Sequence, residues 1–168
     1  MGLIIILALV IWFFSYMIKK RNEFKKLETA VKRSTSEISV QIEKRSACLN
    51  DALSIAKKNY EHEVAGIENL TQDKQLEQLS MLGNMYPELG AMQGYNQMVG
   101  EALELNKDIA AQRTIVNGNI EVYNEAITEF PALIIAAMLK YKTIKFIDED
   151  NMESGKILNK KEVDISNF

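Results

Sequence analysis

The chain has 168 residues, 47% of them hydrophobic and 26% charged, with a net charge of −3. That is the length of one domain with enough apolar content for a core, and the charge balance argues against the broad basic face of a nucleic-acid-binding protein. Two prolines and eight glycines leave long unbroken stretches that favour helices over strands and turns, and the single cysteine, Cys48, excludes an intrachain disulfide and suits a reducing cytoplasm.

Residues 1–18 carry no charged side chain, and the sequence then switches to Lys19, Lys20, Arg21, Lys25 and Lys26. A membrane span needs roughly 20 apolar residues at about 1.5 Å each, and lysines at its edge extend their stems to make up a short run. Residues 1–20 are therefore expected to be a transmembrane anchor, with Leu3, Ile6, Val10, Trp12, Phe13 and Tyr16 in the membrane. Lys19, Lys20, Arg21, Lys25 and Lys26 are expected at the lipid headgroups. Because basic residues stay on the cytoplasmic side, the anchor should be single-pass in the cell (inner) membrane, with the N-terminus outside and the rest cytoplasmic. A cleaved signal peptide would carry its basic residues before the apolar run and a small-residue site after it; Ser15-Tyr16-Met17 is a poor one. Myristoylation is not expected, since position 6 is Ile6 rather than Ser or Thr.

The next segment, from about Phe24 to Leu70, repeats apolar or small residues at Leu27, Val31, Ser34, Ile38, Ile42, Leu49, Leu53, Ala56, Tyr60 and Ile67. Steps of three and four place them on one helix stripe, and nothing between Ile18 and Leu27 breaks the helix, so anchor and segment should form one helix of about 65 residues. Thr71 is the expected N-cap of a short second helix, Gln72 to Leu82, ended by Gly83 and Tyr86-Pro87. Residues 88–94 read as a loop.

The third segment, Tyr95 to Phe130, holds the 3-4 repeat through Tyr95, Met98, Ala102, Leu105, Ile109, Val116, Ile120, Tyr123, Ile127 and Phe130, with Gln112 and Asn119 as polar seam positions that set register. Gly118 costs about 1 kcal/mol relative to Ala inside a helix, so it is expected to mark a close helix contact. Pro131 ends the segment. The fold class is thus all-α: a single transmembrane helix running into a long antiparallel bundle of three to four helices over residues 21–147, with a polar tail at 148–168.

Residues 132–139 are apolar on every side. In one placement they return to the membrane, so that Leu133, Ile134, Ile135, Met138 and Leu139 contact lipid or another copy and Lys140, Lys142 and Lys145 lie at the headgroups. In a strict up-down bundle they would start at the far end and pack as core. The first placement is preferred, because the charge map suits it. Eleven Lys and Arg lie before Glu61, and only three lie between Glu61 and Leu139 against twelve Asp and Glu.

No catalytic constellation is legible. His62, the only histidine, lacks the second histidine of a His-Glu-x-x-His zinc site and the Glu-x-x-His of a di-iron bundle. Cys48 on a helix reads as a buried structural thiol. No phosphate-binding glycine loop is present, and no cofactor or metal is expected. Glu101, Glu104 and Asp108 share a helix face and, with Glu121, form the expected face for a protein partner.

An ordered set of short motifs resembles the LemA family. It comprises Glu37-Ile38-Ser39-Val40-Gln41-Ile42-Glu43-Lys44-Arg45, Lys57, His62-Glu63, Tyr86-Pro87-Glu88-Leu89, Ile109-Ala110-Ala111-Gln112-Arg113, Val116-Asn117, Tyr123-Asn124 and Phe130-Pro131. Order and spacing match from about Asn22 to Ile147. Ala47-Cys48-Leu49-Asn50-Asp51-Ala52 departs from the family's Asp-Leu-Ile-Pro-Asn-Leu, and without that proline the first helix should be straighter. The resemblance implies a bacterial, membrane-anchored helical bundle and no chemistry. Anchor, bundle and apolar 132–139 segment together point to a self-associating scaffold contacting membrane lipid, a homo-oligomer without enzymatic activity. The alternative is an adaptor holding a protein partner at the bilayer.

Overall fold

A computed structural model describes residues 2–148. All regular structure among them is helical: α1 (Gly2–Lys57), α2 (Glu61–Val64), a 3-10 turn (Ile67–Asn69), α3 (Gln72–Met85), α4 (Pro87–Ala91), α5 (Gln93–Thr128) and α6 (Ala132–Met138). The all-α expectation holds, as do the continuity of the apolar N-terminal run with the first bundle helix and the long helix before Pro131. The expected tail lies, apart from Asp148, outside the described residues. The residues expected to form one bundle fall into two compact units, residues 2–35 with 115–147 and residues 36–114.

In the first unit, α1 and α5 run antiparallel. Asn119 Nδ2 donates to Ser34 Oγ at 3.1 Å, and Phe24 meets Tyr141 edge-on with ring centroids 5.3 Å apart. Phe24, Val31, Val116, Ile120 and Ile127 are buried, as the 3-4 stripe requires. Phe130, the last expected stripe residue, is instead 78% exposed, because α5 stops at Thr128 and the chain turns at Pro131. An alanine Cβ at Gly118 would meet nothing within 4 Å, so this glycine marks no close helix contact, contrary to expectation.

The second unit has its core around Leu49, Leu53, Leu76, Leu79, Leu89 and Tyr95. Here α1 stops at Lys57, short of the expected Leu70. Tyr60 packs its ring on Tyr86 at 4.7 Å, and Gly66 takes a left-handed φ of +93° that suits a residue without Cβ. Val64 and Ile67 become buried in two separate turns of helix. The apolar spacing that reads as a longer helix therefore serves to cover the end of the core.

Thr71 does occupy the N-cap position of α3, but with its backbone only: its carbonyl accepts from Gln75 N–H at 2.8 Å and its hydroxyl makes no cap bond. α3 passes through Gly83 to Met85 and ends at Tyr86, where Pro87 supplies the first residue of α4 in place of the expected loop. Gly83 and Gly90 have a packing reason. A Cβ on Gly90 would sit 2.5 Å from the Gly83 carbonyl oxygen, and one on Gly83 would sit 3.0 Å from the Tyr95 ring. Tyr95 lies in that space, and its hydroxyl donates to the Leu79 carbonyl at 2.5 Å.

Candidate membrane interface

The N-terminal part of α1 is long and apolar enough to cross a membrane, with a mean hydropathy of 2.2 and none of its apolar window buried. Leu3, Ile6, Val10, Trp12 and Phe13 are exposed, and Tyr16 is half-buried, stacking on Trp12 at 5.9 Å. Of the basic collar, Lys19, Arg21, Lys25 and Lys26 are exposed. Lys20 is half-buried and pairs with Glu23 at 2.9 Å.

Tyr141 packs on Phe24. α6 is joined to that contact through Tyr141, three residues past its end. Its surface is two-faced. Ala132, Ile135 and Ala136 are buried, whereas Leu133, Ile134 and Met138 are 47%, 51% and 60% exposed. The expectation that Ile135 is available to lipid or another copy is corrected: at 1% exposure it belongs to the unit's own core. Leu139 is half-buried. One face of a short helix can be core while the other stays open, which an all-apolar sequence does not reveal.

α6 ends in a Schellman arrangement. Tyr141 N–H bonds the Ala136 carbonyl at 3.0 Å and Lys140 N–H the Ala137 carbonyl at 3.2 Å, with Lys140 at φ +58°. The following strap, residues 141–148, has no helix or strand of its own. α5 holds it instead. Asn124 accepts from Ile144 N–H and donates to the Ile144 carbonyl, both at 2.8 Å. Asn117 does the same for Ile147, at 2.8 and 3.0 Å. Seven helical residues rise about 10.5 Å and three extended residues about 10 Å, so one register satisfies both asparagines. Tyr123 hydroxyl donates to the Lys142 carbonyl at 3.1 Å. Burial pushes the Tyr123 pKa up to about 12.

The second unit contains a polar centre that the sequence reading passed over. Arg45 is 4% exposed, and it donates to Gln72 Oε1 at 3.1 Å, to Asp73 Oδ1 at 2.7 Å and to Asn106 Oδ1. The signal was present: the α1 stripe jumps from Ile42 to Leu49, and Arg45 stands at the missing step. Gln112 fulfils its seam role by donating to Glu37 at 3.1 Å. Cys48 is buried as expected, and burial, with Glu101 and Asp51 adding, pushes its thiol pKa up, away from nucleophilic use. His62 is exposed, and no group of three or more metal-ligating side chains occurs among the described residues. Glu101, Glu104 and Asp108 are exposed on α5. Glu121 is exposed too, but it belongs to the first unit, and twenty positions amount to about 200° around a helix, so it does not extend their face.

A family model described as the LemA family matches residues 67–158, more than half of the chain. The chain belongs to the LemA family. The match covers Tyr86-Pro87, Val116-Asn117, Tyr123-Asn124 and Phe130-Pro131, whereas the motifs from Glu37 to Arg45 lie before it. No curated protein and no solved structure matches the chain. LemA is not a known enzyme family. In this LemA chain the two Asn motifs are the clamps that seat the strap, Tyr86-Pro87 separates α3 from α4, and Leu89 is fully buried.

Proposed function

We propose that this LemA protein is a non-catalytic scaffold of the bacterial inner membrane. It is held by one N-terminal span with its N-terminus outside, and it works through its cytoplasmic helices by self-association. The observation that carries this reading is the continuity of α1: an apolar, unburied run leads without a break into Phe24 and Val31, which are core residues. A helix shared by anchor and fold holds the fold at a set height above the bilayer, which serves positioning rather than turnover. Light scattering on the full-length chain in detergent, beside residues 22–168, tests it. A defined assembly for the full-length chain supports the scaffold, and monomers in both preparations refute self-association.

The second reading is an adaptor, favoured by the exposed Glu101, Glu104 and Asp108 along one face of α5. Charge reversal at these three should abolish capture of a basic partner and leave membrane location intact; capture that survives refutes it.

A further inference from the structure

We infer that the open face of α6, with the lysines that follow it, is a second membrane contact that lies on an anionic phospholipid surface. This rests on reading residues 2–18 as the span. Three observations lead to it. The first is level. Ile18 closes the apolar run and Phe24 follows six residues later, about 9 Å along the axis. Tyr141, three residues past the end of α6, packs on Phe24, so α6 sits close to the headgroup layer that the collar defines.

The second is chemistry. Phe130, Leu133, Ile134 and Met138 are 78%, 47%, 51% and 60% exposed. They lie on or next to α6 and are followed by Lys140 and Lys142, both exposed, while the exposed Lys19, Arg21, Lys25 and Lys26 ring α1 in the turns around Phe24. Of the carboxylates on these stretches, Glu23 is paired with Lys20 and Glu28 with Lys32 at 2.5 Å, which leaves Glu125 and Glu129, exposed at the end of α5. The surface is therefore basic around an apolar centre, the pattern of interfacial lipid binding.

The third is local strain. Lys140 holds a left-handed φ at the position where helix ends favour glycine, and its side chain is exposed. A lysine at this glycine-favouring position sets an exposed ammonium at the end of α6, where a lipid phosphate can meet it. Lys145 lies farther along the strap, past the Ile144 clamp to Asn124, and is left unchanged in the test.

The test uses the full-length chain in vesicles, with Cys48→Ser and a fluorophore on Ile134→Cys or, as control, on Val122→Cys. Val122 is exposed in the same unit, about 12 Å of α5 farther from the bilayer. Both labelled sites are on the surface, and Cys48→Ser, at a buried position, is common to probe and control, with circular dichroism checking that the helices survive it. Lipids carrying a quencher near the headgroup report contact, and a second set carrying the quencher in the acyl chains, acting on Trp12, reports the anchor independently. In vesicles of phosphatidylglycerol and phosphatidylcholine, the probe at 134 should be quenched at least twofold more than the probe at 122. Lys140→Gln with Lys142→Gln should halve that difference, and phosphatidylcholine alone should do the same. Quenching of Trp12 with equal, weak quenching at 134 and 122 overturns the contact while the span stands. Absence of quenching at Trp12 overturns both. A blue-shifted probe at 134 that lipid does not quench identifies a second copy on this face and overturns the lipid assignment. Equal quenching at 134 in both lipid compositions overturns the anionic requirement.

Discussion

Replacing Asn124 by Ala should loosen residues 141–148 while leaving the helices intact. Asn124 makes two hydrogen bonds to the backbone of Ile144, both at 2.8 Å. Each such bond contributes about 1 kcal/mol net, so the strap loses about 2 kcal/mol locally. Alanine's better helix propensity returns roughly 0.5 kcal/mol to α5, so global stability falls by only about 1.5 kcal/mol. A local loss of about 2 kcal/mol corresponds to roughly 30-fold faster opening at the Ile144 amide. Amide hydrogen exchange on a peptide covering residues 141–148 reads this directly. Asn124→Asp sharpens the test: the acceptor for Ile144 N–H survives, but a carboxylate then faces the Ile144 carbonyl, so the strap should open about as much as with alanine. Asn117→Ala should have a similar effect at Ile147. The double replacement should cost less than the sum, because both clamps hold one short segment. Ile144 exchange within twofold of the unsubstituted chain would refute the clamp and leave Asn124 as an ordinary surface residue of α5.

Three other outcomes are expected. Gly118→Ala, mid-helix with open space around its Cβ, should raise stability by about 1 kcal/mol in a denaturant melt, and a loss would reveal a contact at that position. Asp73→Ala should destabilise the second unit by about 3 kcal/mol, because it leaves the buried Arg45 guanidinium without its carboxylate; a change below about 0.5 kcal/mol would show the pair to be incidental. Tyr95 and Tyr123 should make stability fall as pH rises from about 10 to about 12. Burial raises both folded pKa values to about 12, so the unfolded chain releases these protons first. The stabilising effect is complete below the unfolded pKa, and tyrosinate absorbance followed beside helix content checks it. Titration of all tyrosines at their ordinary value before unfolding would contradict it.

The helices were legible because they are long and periodic. Most of the stripe residues of α1 and α5 are buried, and both polar seam residues, Gln112 and Asn119, meet partners on α1. The connection from Lys58 to Leu70 was misread because its apolar residues keep helical spacing while Gly66, the one residue able to break the helix cheaply, looks tolerable in isolation. Residues 88–94 were misread because a one-turn helix starting at proline carries the same letters as a loop. In the N-terminal run and the stretch after it, most of the residues expected to be exposed are exposed, as are Leu133, Ile134 and Met138 of α6. The burial of Ile135 could not be read from sequence, because a uniformly apolar segment holds no phase. The strap was invisible for another reason. Nothing in 141–148 announces its partner, since the recognising groups are two asparagines on a different element.

That last arrangement has a consequence for how this end of the molecule can change. The asparagines grip peptide groups, which every residue but proline provides in full, so the side chains at 142, 143, 145 and 146 are under little structural obligation. Lys142, Lys145 and Phe146 project outward and are exposed. Their charge and greasiness can drift between generations without disturbing the helices beneath, which makes the strap an adjustable label on a fixed mount.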